Sequence, residues 1–165
     1  MDPQKLIVNF GYIDTILTYF SYFLGVVFIT VGVFKFKRYG EMRTQMSAQM
    51  TILNPLMPFL VGVCLLNFPD FIAYTVGSIY DSPNPLVYKG ATTGYRQYIK
   101  PVIILVRLIG VGAMIRGLVL LSRAGGAQSQ AGSVGKAIMH ILGGALAYNI
   151  LKTIDLVKNI FSIDT

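Results

Sequence analysis

Three arginines stand in the otherwise apolar stretch RLIGVGAMIRGLVLLSRAGG at residues 107–126, and no side chains in the sequence are placed so expensively as the first two, Arg107 and Arg116. A guanidinium is always charged and presents a rigid fork of five N–H donors, so it suits a carboxylate, a phosphate or a wet cavity. Arg107 lies near the end of its apolar run, where its long stem can snorkel to water. Arg116 is nine residues deeper, roughly 13 Å along a helix. An arginine near the middle of a bilayer costs at least about 2.5 kcal/mol on insertion scales, so Arg116 requires a partner. Asp14, Asp70, Asp81 and Asp155 all sit at the ends of apolar runs, and Tyr148, Asn149 and His140 could offer hydrogen bonds. The remaining candidates are an acid on another subunit or a bound phospholipid. Arg107, Arg116 and Arg123 are therefore the candidate partner- or lipid-binding residues.

Other chemistry finds little support. Cys64 is the only cysteine, which rules out an intrachain disulfide and a cysteine-based zinc site. His140 is the only histidine and has no second histidine to share a metal with. The loop GGAQSQAGSVGKA, residues 125–137, has glycines and a Gly-Lys pair. A phosphate-binding loop, however, needs Gly where Gln130 stands and Ser or Thr where Ala137 stands. Gly110 and Gly112 begin a G-x-G-x-x-G that fails at Ile115. No His/Asp/Glu/Cys cluster suggests catalysis, so the expectation is a protein that is not an enzyme and carries no metal or cofactor.

The elements that position these residues are set by hydrophobicity. Of 165 residues, 54% are hydrophobic and 13% charged, with mean hydropathy +0.62. Soluble domains carry about 25% charged residues, so the surplus calls for a bilayer. The net charge of +7 flanks apolar runs and covers no polar face, which argues against nucleic-acid binding and for membrane topology.

About twenty apolar residues cross a hydrocarbon core. TILTYFSYFLGVVFITVGVF, between Asp14 and Lys35, reads as the first spanning helix. ILNPLMPFLVGVCLLNF, residues 52–68, reads as the second, with Pro55 and Pro58 near its start. Residues 71–101, rich in Tyr, Pro, Gly and Asn, read as a surface connection that includes a short interfacial helix in FIAYTVGSIY. A third helix is expected over Val102–Leu121 and a fourth over Ala137–Leu151, beginning a few residues earlier. In KTIDLVKNIFSIDT, Ile154, Val157 and Phe161 recur at helical spacing, the mark of an interfacial amphipathic helix, and residues 3–14 are expected to form its N-terminal counterpart. The fold expected is thus an all-α membrane protein of four transmembrane helices in two tandem hairpins. Residues 1–70 hold the first hairpin, 71–101 the connection and 102–165 the second. The opening MDPQKL lacks a basic signal region and a small-residue cleavage site, so the first apolar segment is expected to be retained.

An internal repeat underlies this order. Shifted by 85 residues, Gly25, Gly32, Arg38 and Gly40 fall on Gly110, Gly117, Arg123 and Gly125; shifted by 82, Gly62 and Asn67 fall on Gly144 and Asn149. The pairs Gly25/Gly32 and Gly110/Gly117, seven residues apart, each lie on one helix face. Gly143 and Ala147 form a small-xxx-small pair. Such positions let helices approach closely, within the chain or between subunits. Each hairpin turn is basic: Lys35, Lys37, Arg38 and Arg43 against Glu41 in the first, Arg123 and Lys136 in the second. Short basic loops stay cytoplasmic, which places both termini and the central connection in the periplasm of an inner-membrane protein.

IGVGAMIRGLVLLSRAGGAQSQAGSVGKAIMHILGGALAYNI, residues 109–150, resembles the small inner-membrane components of type IVB (Dot/Icm) secretion and related conjugation systems. In this family of DotV, DotE (IcmC), DotP (IcmD) and TraQ-like proteins, a glycine-bearing helix and a small polar loop precede a second helix like the one with GGALAYN here. The four-helix length fits the DotV and DotE members, DotV first. The resemblance implies a structural subunit, working through contacts with other membrane subunits and lipid, and supplies no catalytic residues. The basic-turn hairpin is also similar to conjugative pilins, although two hairpins in one chain depart from that pattern. The alternative is a small channel or transporter with an arginine-lined path.

Overall fold

In a computed structural model of the chain, residues 3–44, 51–80, 99–125 and 132–161 are described, and all their regular structure is helical. The order is α1 (Pro3–Thr44), α2 (Leu53–Leu66), α3 (Phe68–Tyr80), α4 (Ile99–Arg123), α5 (Ser133–Tyr148) and α6 (Ile150–Ile160). α1 and α4 are each long and apolar enough to cross a membrane, and the bent pairs α2–α3 and α5–α6 raise the number of candidate spans to four.

α1 runs unbroken for 42 residues, about 63 Å at the α-helical rise. Residues 3–14, expected as a separate interfacial helix, are instead its first turns, and Lys35, Lys37, Arg38 and Arg43, expected in a hairpin turn, belong to its last turns, because nothing between Phe34 and Thr44 breaks a helix. Pro3 sits at the start, where its missing N–H is harmless, and no proline interrupts the helix after it. α3 and α6 are helices where short helices were expected, in FIAYTVGSIY and in the C-terminal tail. The loop residues 81–98 and 126–131, and the side chain of Arg43, lie outside the described residues.

Glycine contacts pack the long helices into two antiparallel pairs. A Cβ added to Gly25 would sit 2.9 Å from the Leu66 backbone nitrogen, and one on Gly62 2.7 Å from that of Ile29. On the second pair, a Cβ on Gly110 would meet the Gly144 carbonyl oxygen at 2.7 Å, and one on Gly144 would meet Met114 Cγ at 2.5 Å. Gly32 lies against Phe59, and Gly117 against Ile141. Under the repeat offsets Ile29 becomes Met114, Phe59 becomes Ile141 and Leu66 becomes Tyr148. The two helix pairs therefore use the same contacts at the same positions. Gly143 differs: a Cβ there would meet nothing within 4 Å, while its neighbour Gly144 makes the close approach.

Both second helices end at an asparagine and turn sharply. The chain bends 93° between α2 and α3 at Asn67 and 97° between α5 and α6 at Asn149. Neither asparagine has helical backbone angles (φ −105°, ψ 40° and φ −116°, ψ 54°), so each stops its helix. On α3, Phe68, Ile72 and Val76 recur every four residues and are buried, leaving Asp70 and Tyr74 outside. These three join Val61 and Leu65 of α2, Val111, Met114, Ile115 and Leu118 of α4 and Ala145 of α5 in one core. At the start of α5, Gly132 has φ +89°, the left-handed region where a side chain would be strained.

The outer surface inverts the usual soluble pattern. Tyr12, Ile16, Tyr19, Phe23, Val26 and Phe34 on α1 are all exposed. A contiguous apolar exterior of this extent marks a surface built to meet lipid or other protein.

Candidate functional site

One end of the bundle collects the polar residues that the apolar helices carry inward. Arg107 is two turns into α4, Tyr148 is the last residue of α5, and Asp14 and Thr18 lie in the N-terminal part of α1. Together with Phe68, Pro69, Ile72 and Val111 they line a cavity of about 200 Å³. The antiparallel packing explains the meeting, because the start of α4 and the end of α5 share one end of their pair.

Within the cavity, Arg107 Nη2 donates to the Tyr148 hydroxyl, and the guanidinium carbon lies 4.3 Å from the centre of the same ring. Arg107 Nε is buried without a hydrogen-bond partner. Asp14 lines the same cavity without forming an ion pair with Arg107. This half-buried guanidinium thus keeps donors free after its tyrosine contacts. A guanidinium in general takes a carboxylate or phosphate oxygen through charge-assisted bonds. Next to Tyr148, the Asn149 side chain is buried with both amide atoms unpaired.

The Arg107–Tyr148 contact can be dissected. Tyr148→Phe removes the acceptor of a charged hydrogen bond and should cost about 1.5–3 kcal/mol of stability. Tyr148→Leu should cost up to about 2 kcal/mol more through loss of the ring face. Thermal unfolding of the purified full chain in detergent measures both. Identical melting for wild type and Tyr148→Leu would show that the pair contributes nothing.

The other candidate residues are dispersed. Arg116 is exposed on α4, on the heptad line that runs through Val102, Ile109 and Arg123, all exposed. It does not line the Arg107 cavity. Arg123 closes α4 at the opposite end of the bundle from Arg107. There Lys35 donates to Asn54 Oδ1 at 3.3 Å, Lys37 pairs loosely with Glu41 at 3.9 Å, and Arg38 and Lys136 are exposed. The Lys37–Glu41 pair is open to solvent and of negligible weight. Gly25, Gly32, Gly110 and Gly117 sit at close helix contacts, and the Ala147 side chain borders Gly110.

Sequence reasoning passed over Tyr148 as the partner of Arg107 and Asp14 as its neighbour in the cavity, and left Gly62 and Gly144 out of the packing set. The repeat offset already paired those two glycines, and that signal was sufficient to find them. Nothing in the linear sequence brings Asp14 to Arg107, since 93 residues separate them. His140 Nδ1 is 2.8 Å from the Lys136 carbonyl oxygen, a contact within its own helix. Among the described residues no group of three His, Cys, Asp or Glu side chains could hold a metal ion. No protein-family model, no curated protein and no solved structure matches this chain.

Proposed function

We propose that the chain is a non-enzymatic structural subunit of a bacterial inner-membrane assembly, and that this assembly is a type IVB secretion complex. The observation that carries the structural reading is the pairing of internal glycine contacts with an apolar exterior. Two helix pairs are closed by Gly25–Gly62 and Gly110–Gly144, while bulky residues such as Tyr19, Phe23 and Phe34 point away from them. The secretion reading rests on the resemblance over residues 109–150, the segment that forms the second pair.

In this reading α1, α2, α4 and α5 cross the bilayer, and α3 and α6 lie in its periplasmic interface. The near-right-angle bends at Asn67 and Asn149 support that arrangement. α6 is the most amphipathic helix of the chain, with Ile154, Val157 and Ile160 exposed, as an interfacial helix requires. α2 has 14 residues and α5 has 16, both below the roughly twenty of a full span. The bilayer beside them must thin at modest cost. The helix ends carrying Lys35, Lys37, Arg38 and Arg43 on α1, Arg123 on α4 and Lys136 on α5 then face the cytoplasm.

Cysteine labelling tests the topology. In a Cys64→Ser background, Gln45→Cys and Gln130→Cys should resist an impermeant reagent applied from the periplasm, whereas Ser82→Cys should label readily. The reverse pattern would invert the arrangement. Crosslinking in native membranes with mass spectrometry tests the partners, and recovery of unrelated metabolic enzymes alone would sink the secretion assignment.

The cavity holding Arg107 and Asp14 favours a second reading, a small channel or transporter. Against it, Arg116 lies on the exterior and extends no charged path from that cavity. The purified chain in liposomes should show no solute flux; flux abolished by Arg107→Leu would reverse the preference.

A further inference from the structure

The two halves of the chain do not meet as equals. A two-fold axis between them would bury equivalent surfaces on both. On α4, Val111, Ile115 and Leu118 lie about 100° round the helix from the α5-facing Gly110, Met114 and Gly117. They are buried in the common core with Val61 and Leu65 of α2. Their repeat equivalents on α1 are Val26, Thr30 and Val33, and all three are exposed. The comparison is sharpest where the residue type is unchanged: Val111 is 2% exposed and Val26 is 56%.

The receiving surface is uneven in the opposite sense. Val61 and Leu65 are buried in the first half, with Leu24 of α1 packed beside them. Their equivalents in the second half, Gly143, Ala147 and Ile109, are uncovered to different extents. Ile109 is 62% exposed, and a Cβ on Gly143 would face open space. The halves therefore join head to tail, the front of the second on the back of the first. One front, on α1, and one back, on α4 and α5, are left over in the same chain.

A head-to-tail contact repeats until it closes a ring or runs on as an array. We infer that a second copy of this chain docks its α1 front on the α4–α5 back, in the register of the contact already made inside each chain but closer, because Gly143 and Ala147 stand where the first half has Val61 and Leu65. Gly143 and Ala147 allow the incoming helix backbone to approach closely, which drives helix association in lipid. Arg116 borders this back, seven residues from Ile109 on the same line; its repeat equivalent Val31 is 38% exposed beside the contact inside the chain. The inference rests on the membrane reading above, which the labelling experiment checks separately, and holds whichever assembly the chain serves.

The test uses the full chain labelled with donor or acceptor dyes in vesicles of phosphatidylethanolamine and phosphatidylglycerol. Energy transfer should exceed that of randomly placed chains and saturate as protein is added. Gly143→Leu, whose side chain enters open space in the single chain, should weaken association about tenfold or more. Gly77→Leu on α3, also in open space, should leave it unchanged. Cysteine crosslinking then reads the symmetry in a Cys64→Ser background. A mixture of Val26→Cys and Ala147→Cys chains should form dimers, neither variant alone should, and the double variant should give a ladder. Energy transfer no greater than random, or Val26→Cys pairing with itself as readily as with Ala147→Cys, would overturn the inference.

Discussion

Gly144→Leu should unfold the second helix pair, while Gly143→Leu, one residue earlier, should leave it standing. At residue 144 the first added carbon already falls 2.5 Å from Met114 Cγ and 2.6 Å from the Gly110 carbonyl oxygen. The second obstacle is backbone and cannot rotate aside. Overpacking a close contact costs about 1–3 kcal/mol and occasionally more, and a clash with backbone belongs at the upper end. At residue 143, which is exposed, nothing lies within 4 Å of the first added carbon, so the same substitution meets no backbone there. Gly62→Leu should behave like Gly144→Leu, because its Cβ would lie 2.7 Å from the Ile29 nitrogen and 2.9 Å from the Gly25 carbonyl oxygen. Thermal unfolding of the purified chain in detergent provides the comparison. Equal melting temperatures for the Gly143 and Gly144 variants would refute the packing scheme. Joined to the self-association experiment, this pair separates fold from assembly: one glycine holds the chain together and its neighbour holds copies together.

Arg116→Leu should insert into membranes at least as well as the unmodified chain and assemble worse. The guanidinium is exposed on α4, seven residues, or about 10 Å along the helix, from Arg123. Removing it removes an insertion cost of about 2.5–3.5 kcal/mol at the bilayer centre, less if it snorkels to the interface. If its partner in the assembly is an acid, that charge is left buried and unpaired, a loss of about 3–5 kcal/mol. Arg116→Lys should restore assembly only in part, because an ammonium lacks the planar fork that matches carboxylate or phosphate. Arg107→Leu should show the opposite profile. Its side chain is committed to Tyr148 inside the chain, so the loss should appear in the melting temperature before it appears in assembly. The measurement is complex yield normalised to inserted protein. Equal yield for Arg116→Leu and the unmodified chain would show an arginine that only snorkels.

The helices were legible because their signals are local. Uninterrupted apolar runs predicted α1 and α4, and Gly25/Gly110, Gly62/Gly144 and Asn67/Asn149 marked the repeat. The N-terminal boundary misled, since residues 3–14 contain polar residues yet nothing that stops a helix, and so they continue into α1. The spacing of Gly143 and Ala147 marks a small-residue pair without saying whether it packs within the chain or between subunits; Ala147 borders Gly110 inside the chain and Gly143 borders nothing. One residue corresponds to about 100° of rotation on a helix, and the register of α5 against α4 turned Gly144 inward in place of Gly143.

By itself, the sequence determines the helical class, the charge asymmetry between the two ends and the repeat, because each depends on composition or spacing along one strand of chain. The tertiary structure decides which member of each repeated pair is covered. Val26 and Val111 are the same residue in the same repeat position, yet one faces outward and the other lies in the core. It also decides that Arg107 meets Tyr148 and shares a cavity with Asp14 while Arg116 meets neither. Burial is a property of relative placement: the second helix pair can lie against only one side of the first, and that choice breaks an equivalence the sequence leaves intact.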